Sequence, residues 1–456
     1  MRTIFVTIFQ GAEAKNILRT DIYKNLIANP EVKLVFLAGN QDRIEYYRKE
    51  FNAPNVVYEV AAMGKMGFWN RFFSNLKFIL LNTETADLRR EMIFEEDHNR
   101  LRYRRSWFVS RVVARPLVRK IVRLLDYFLV RDQFFGALFD KYKPSLVFCA
   151  HLFDDQETQL LREAKRRGVK TIGFVNSWDK MTARGIVRLL PGQLIVFNEL
   201  VKAEAMKYAD MPAGKIIIAG IPQYDWHVNY QPLSKGEFFR KKNLDVSKKL
   251  VVYAPMGKTF SNSDWDIIDL LHDWMVGGQV RSAQLMVRFQ PNDFFDEAEM
   301  QKRPWLIYDR PGIRFSKERG VDWDMSFDDI RGLTDTLANA DLFICYASSM
   351  SVDAAVFDKP VINIDFEVRP KELMSKSPTY FYKMTHYAKA ARTGGIRYPK
   401  SKEEFLKDIN DYLDNPKLDD LGRHKLVGEQ CWKLDGHSSE RVADLILKSL
   451  VISNKS

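Results

Sequence analysis

The sequence predicts an α/β protein made of two doubly wound, Rossmann-like units. Three observations predict it. Short apolar runs alternate with helical patterns, which implies parallel strands joined by helical crossovers. The alternation stops after Gly220-Ile-Pro-Gln-Tyr-Asp225 and restarts at Leu250. The chain's 456 residues exceed what one core of ~100–200 residues ordinarily holds.

In the first unit, Thr3–Ile8 is an apolar strand that enters a loop holding Gly11, followed by a helical pattern from about Asn16 to Ala28. Strands at Val32–Leu37 and Asn55–Val60 come next. Residues 63–143 depart from alternation and are expected to form a helical insertion, basic and aromatic. Alternation resumes with a strand at Ser145–Cys149, His151, and a helix from about Asp155 to Arg167. Lys170–Val175, Gln193–Phe197 and Lys215–Ala219 complete this unit, taken as residues 1–222. Residues 223–248 are polar, contain Pro232 and read as a linker.

The second unit, residues 249–430, starts with strands at Leu250–Ala254, Leu285–Phe289 and Trp305–Tyr308. A helix at Leu333–Ala340, a strand at Leu342–Cys345, a helix at Met350–Phe357 and a strand at Val361–Ile364 follow. Amphipathic helices at Glu403–Leu413 and Ser438–Val451 close the chain, the last within a terminal segment 431–456. Two such units form a cleft, and ligands of these sheets bind beyond the carboxyl ends of the strands.

Composition excludes several classes. With 46% hydrophobic and 13% aromatic residues the chain is too apolar for disorder. Three cysteines make no disulfide scaffold, and their use fits a reducing cytoplasm. The short apolar N-terminus is expected to be no signal peptide. No apolar stretch approaches the ~18 residues that span a bilayer. Of the formal net charge of +11, a surplus of +8 sits between Leu101 and Arg131, where nine basic residues meet the single acid Asp126. Tyr103, Trp107, Phe108, Tyr127 and Phe128 interleave with them. That mixture suits an anionic membrane surface. An ordinary surface helix packed on its own domain is the alternative; nucleic acid lacks a recognised reader motif here. A cytoplasmic protein, peripheral on the inner face of the membrane, is the expectation.

The most informative segment is DLFICYASSMSVDAAVFDKPVI, from Asp341: a strand, a turn of small residues, a helix and a strand. Ser348 and Ser349 lie at the new helix's start, where free N–H groups and the dipole favour a phosphate, and Asp353 one turn inside suits a ribose hydroxyl. Simple capping by the serines explains the same residues without a ligand. Asp264-Trp-Asp266 and Asp322-Trp-Asp324 have D-x-D spacing but read as cap or surface residues. No histidine–cysteine grouping has metal-site spacing, and no Walker or G-x-G-x-x-G loop is present.

This segment resembles the C-terminal donor site of GT-B fold glycosyltransferases and their relatives, the CDP-glycerol glycerophosphotransferases and non-hydrolysing UDP-sugar 2-epimerases. KIIIAGIPQYD, LVVYAPMGKTF, LMVRFQPND and HYAKAARTGGIRYPKSKEEFLKDINDYL agree in order. KTIGFVNSWDKMTARG is similar to bacterial surface-carbohydrate transferases of this fold. The resemblance spans roughly residues 145–445. It implies that Ser348, Ser349 and Asp353 face the nucleotide diphosphate and ribose, with Lys258 and Arg288 as counter-ions; Lys258 as a solvated loop lysine and Arg288 as a structural salt-bridge partner are the alternatives. Preorganised cations at a departing diphosphate lower the barrier without a metal. Neither metal nor cofactor is expected; the nucleotide-activated sugar is a co-substrate, and a glycan or lipid-linked glycan is the acceptor. The last helix is expected to cross back to the first unit.

The paired glutamates of the retaining branch are replaced here by Ser-Met-Ser-Val-Asp, which points to inversion. The epimerases' double-glycine helix start is absent. Inversion needs a base for the acceptor hydroxyl. Asp179 and the group His151, Asp154 and Asp155 are the candidates, each just after a strand; Asp155 could equally start its helix, and His151 could be a core histidine. Gly11, Glu13, Asn176, Ser177 and Trp178 form the expected acceptor side, Glu13 with some claim to be the base. Rival readings are a CDP-polyol phosphotransferase, a non-catalytic GT-B binding module and, last, an epimerase.

Overall fold

The computed structural model describes residues 1–293, 296–315, 323–370 and 373–451. Two compact units emerge. One comprises Met1–Phe94, His98–Val228 and the chain from Cys431 onward; the other comprises Glu95–Asp97 and Asn229–Gln430.

The first unit is built on a wholly parallel sheet of seven strands, β1 (Arg2–Thr7), β2 (Val32–Ala38), β3 (Val56–Val60), β4 (Leu146–Cys149), β5 (Lys170–Phe174), β6 (Gln193–Val196) and β7 (Ile216–Ile218). Their order is β3-β2-β1-β4-β5-β6-β7. β1 is central, with Phe5 opposite Val35 on one side and Val147 on the other. Helices cover both faces, so β1, β2 and β4 are buried almost throughout rather than alternating. The helical pattern expected over Asn16–Ala28 is two helices, Gly11–Ile17 and Asp21–Ile27. Thr20 divides them: its hydroxyl bonds back to the Asn16 carbonyl at 2.7 Å and caps the second helix at Ile22.

The insertion holds five α-helices, Phe68–Ile79, Glu84–Asp97, Arg100–Phe108, Pro116–Leu129 and Gly136–Tyr142, with a π-turn at Val109–Val113. The terminal helix Ser438–Val451 belongs to this first unit. The Asp225 carboxylate accepts the N–H groups of Ser438 and Ser439 at 3.0 and 2.7 Å, so the cap is Asp225 rather than a serine hydroxyl of the helix itself. Lys170 and Arg2 donate to the carbonyls of Ser449 and Leu450 at the other end. Anion at the N-terminus and cations at the C-terminus both suit the helix dipole.

The second unit carries a five-stranded parallel sheet of β8 (Lys249–Ala254), β9 (Ala283–Arg288), β10 (Ile307–Asp309), β13 (Leu342–Cys345) and β14 (Val361–Asn363), ordered β10-β9-β8-β13-β14. A two-stranded antiparallel ribbon, β11 (Ile313–Arg314) with β12 (Trp323–Asp324), lies between β10 and β13 in sequence. Residues 223–248, read from sequence as linker, include the helix Lys235–Lys241 with Phe238 and Phe239 buried. Cys149, Cys345 and Cys431 are free and buried. No helix among the described residues is long and apolar enough to cross a membrane.

Candidate functional site

In each sheet the strand order reverses beside the first strand, between β1 and β4 and between β8 and β13. At such a switch point the two flanking loops part and leave a crevice beyond the carboxyl ends. The sequence candidates gather around these two places.

In the first unit, Glu13 follows β1, His151 and Glu157 follow β4, and Lys180 follows β5. Glu13, His151 and Glu157 are fully buried, and their ligand-type atoms lie within 4.8 Å of one another. Glu13 turns one carboxylate oxygen back to the Phe9 and Gln10 N–H groups, closing the first turn of its helix. Its carboxyl is pushed up to about 7, by burial first and then by Asp154. Glu157 is also pushed well up, by burial and then by Glu13. Two carboxyls this close cannot both ionise cheaply. Burial and the neighbouring Lys180 hold His151 well below its ordinary value, hence neutral. The Lys180 ammonium donates to His151 Nε2 at 2.8 Å. The three ligand-type groups have metal-site spacing, yet Lys180 occupies the imidazole, and the arrangement is that of an acid–base cluster.

Above this cluster is a rim of half-buried polar groups. Asp154 receives the Gln10 amide and lies 3.7 Å from His151 Nδ1. Ser177 donates to the Asp179 carboxylate at the start of the helix Lys180–Ala183. Trp178 is half-buried beside them, Gly11 is buried at the head of its helix, and Asn176 is buried at the end of β5. Neither amide atom of Asn176 has a hydrogen-bond partner among the described residues.

Asp155 does not join this group. Its carboxylate accepts Arg188 at 2.8 Å and Ser74 at 2.5 Å, with Lys77 at 3.5 Å. Burial pushes its carboxyl up, but Lys77, Ser74 and Arg188 outweigh that and hold it below the ordinary value. A carboxylate so paired is a poor proton acceptor, which removes Asp155 from the candidate bases. Sequence reading missed Glu157 altogether. The signal was present: Glu157 shares the inward stripe of its helix with Leu160, Leu161 and Ala164.

In the second unit a cavity of ≈ 760 Å³ opens beyond β8, β9 and β10, lined by Lys258, Trp265, Phe289, Arg310, Arg314 and Lys376 among others. Asp264 shapes its floor. The carboxylate accepts the Tyr253 hydroxyl at 2.7 Å and the Met256 and Gly257 N–H groups at 3.1 and 2.8 Å. This fixes the loop after β8 with Gly257 at φ +91°, where a Cβ would collide with Asp293. Asp266 pairs with Arg369. The first D-x-D pair is therefore a loop tie and an ion pair; Asp322 of the second lies outside the described residues.

Of the expected donor-binding residues only Lys258 lines this cavity. Arg288 is buried and bonded to Asp309, and burial draws its guanidinium down against the pull of Asp309. Its role as a diphosphate counter-ion gives way to that of an internal ion-pair partner. Ser348 bonds the Met350 N–H at 3.2 Å, Ser349 is the exposed N-cap of the helix Met350–Val356, and Asp353 is buried one turn on. These three stand at the β8–β13 switch point without lining the cavity. The cavity's other cations, Lys302, Arg303, Arg310, Arg314, Arg369 and Lys376, escaped sequence reading because they come from separate segments with no shared motif; six acids, Asp264 and Asp266 among them, line it too.

The class is defined by the fold. The whole chain matches the UDP-GlcNAc 2-epimerase of Neisseria meningitidis bound to UDP-GlcNAc, at 9% identity and TM-score 0.56 over 98% of this chain and 100% of that one. It matches the S. aureus MnaA–UDP structure at 10% identity and TM-score 0.53, over 100% and 99%. The wall teichoic acid polymerase TagF with CDPG matches at 11% identity and TM-score 0.50, over 100% and 90%. No protein-family model and no curated protein matches the chain. Likeness at this identity establishes the fold: two Rossmann-like units of the GT-B type, as the sequence motifs implied.

Proposed function

We propose that the protein is a GT-B glycosyltransferase that moves a sugar from a nucleotide-activated donor to a glycan acceptor, lipid-linked, during surface-polysaccharide synthesis. The observation that carries this reading is the acid–base cluster at the β1–β4 switch point, with the carboxylates of Asp154 and Asp179 on its rim. Solved structures of the same fold hold UDP, UDP-GlcNAc and CDPG, which supports a nucleotide-activated co-substrate.

Asp179 takes the role of base. It is half-buried, whereas Glu13, His151 and Glu157 are closed off; it accepts the Ser177 hydroxyl, as it would an acceptor hydroxyl, and the charges of Lys180 and Arg89 act on it as well. As Asp179 removes the proton, the acceptor oxygen forms its bond to the anomeric carbon. The bond from that carbon to the nucleotide diphosphate breaks, and the configuration inverts. Taken by itself, the second unit offers Lys258 in its cavity as the proposed counter-ion for a nucleotide diphosphate. No metal is needed for this displacement.

Likeness to TagF favours one second reading, transfer of a polyol phosphate from a CDP-activated donor. Likeness to the epimerases leaves interconversion of a free UDP-sugar as a third. A donor panel incubated with lipid-linked glycan extract separates them. The transferase releases a nucleoside diphosphate and needs the acceptor; a phosphotransferase releases CMP; an epimerase changes the sugar with no acceptor. Release of diphosphate that is indifferent to acceptor, or no turnover of any donor, overturns the proposal.

A further inference from the structure

The helix Pro116–Leu129 is inside out. Arg119, Arg123 and Asp126, spaced four and three apart, form its buried stripe. Leu117, Ile121, Leu124, Leu125 and Phe128 form the opposite stripe and are exposed, from 45% for Leu125 to 69% for Leu117. A surface helix of a soluble domain has the reverse pattern.

Each residue of the inward polar stripe is paired. Arg119 and Arg123 both pair with Asp210, and Arg123 also donates to the Val187 carbonyl at 2.8 Å. Asp126 accepts Arg162 at 2.9 Å and a two-pronged contact from Arg188 at 2.8 and 2.9 Å. These pairs fix the rotation of the helix, so its apolar side cannot simply roll inward. Next to it packs the helix Phe68–Ile79, which exposes Phe68, Trp69, Phe72 and Phe78. The preceding helix Arg100–Phe108 buries none of its residues and exposes Trp107 and Phe108.

Charge identifies the occupant. Arg102, Arg104, Arg105, Arg115 and Lys120 are exposed across this segment, while its acid, Asp126, is buried. An exposed apolar and aromatic stripe in a segment with a surplus of exposed cations matches an anionic lipid surface, where side chains enter the acyl boundary and cations meet the headgroups. We propose that the outward face of Pro116–Leu129, with the aromatic side chains of Phe68–Ile79, is a docking surface for anionic membranes. The proposal does not depend on the transferase reading. It also corrects the sequence expectation for residues 101–131, because Arg119 and Arg123 hold the helix from within and do not meet headgroups.

The test is flotation of the full chain with phosphatidylcholine vesicles, with and without about a third phosphatidylglycerol. The native chain is expected to float with the anionic vesicles and at least tenfold less with the neutral ones. The substitutions Ile121→Glu, Leu124→Glu and Phe128→Glu, all at exposed positions, are expected to abolish flotation without lowering the melting temperature. Arg102→Gln with Arg104→Gln and Arg105→Gln is expected to weaken it several-fold, with salt reproducing the loss. A native chain that stays unbound to anionic vesicles overturns the proposal. So does undiminished flotation of the glutamate variant. A concentration-dependent dimer that the same variant disperses, without vesicle binding, reassigns the face to self-association and also overturns it.

Discussion

Two buried polar clusters lie in the first unit, and they are constructed on opposite principles. Around Asp126 and Asp155, each carboxylate meets guanidinium or ammonium groups from Arg162, Arg188 and Lys77. Around Glu13 and Glu157, two carboxyls face each other beside a neutral imidazole, and their values are driven up. The first arrangement binds the helical insertion to the sheet and has nothing left over for chemistry. The second retains displaced protonation at the carboxyl ends of the central strands, which is where perturbed groups mark function. Burial alone does not separate the two; the sign of the partner does.

The largest expected effect breaks the paired cluster. Asp126→Asn leaves Arg162 and Arg188 buried without their shared carboxylate, and such losses cost about 3–5 kcal/mol. Urea unfolding followed by circular dichroism reads it; a change below about 1 kcal/mol contradicts the structural role. Next comes a contrast in rate. Asp179→Asn is expected to lower turnover ~10²–10⁴-fold with stability nearly kept. Asp155→Asn is expected to destabilise while the folded fraction turns over normally. Reversal of that pattern would move the base back to Asp155.

The unpaired cluster predicts a pH signature. Glu13 is raised from 4.5 to about 7, so the folded form keeps a proton the unfolded chain has lost. Between those values stability therefore falls as pH rises, by up to ~1.4 kcal/mol per pH unit for one proton. His151 acts oppositely, since its lowered value makes stability fall as pH drops through 6.5. The reading is thus the difference between native chain and Glu157→Gln, which removes one of the two raised carboxyls and so flattens the slope. Parallel slopes would show that Glu157 binds no extra proton in the folded chain. Smallest of all, Lys258→Ala at an exposed loop position should alter stability by less than ~0.5 kcal/mol while weakening nucleotide binding. Equal affinity would remove Lys258 from the site.

Strands of both large sheets were legible because parallel strands covered on two faces are plain apolar runs, as in β4 and β13. The ribbon of β11 and β12 was not, since each strand has two residues and no periodicity to read. At the site, positions after strands were legible and partners were not. Asp155 looked like a base until Arg188 and Lys77 met it from distant segments. Arg119 and Arg123 looked like surface cations because Asp210, their partner, lies more than eighty residues away. Glu157 was readable in principle, as a lone acid on an apolar stripe.

The central claim is that this fold binds an activated nucleotide. Thermal melting of the full chain against UDP, GDP, CDP, CMP, ADP and dTDP, with and without a divalent ion, tests it most directly. The account predicts metal-independent stabilisation by one nucleotide, worth ~2.7 kcal/mol at a hundred times its Kd. Melting curves unmoved by every nucleotide would contradict it and favour a GT-B module that binds without catalysis.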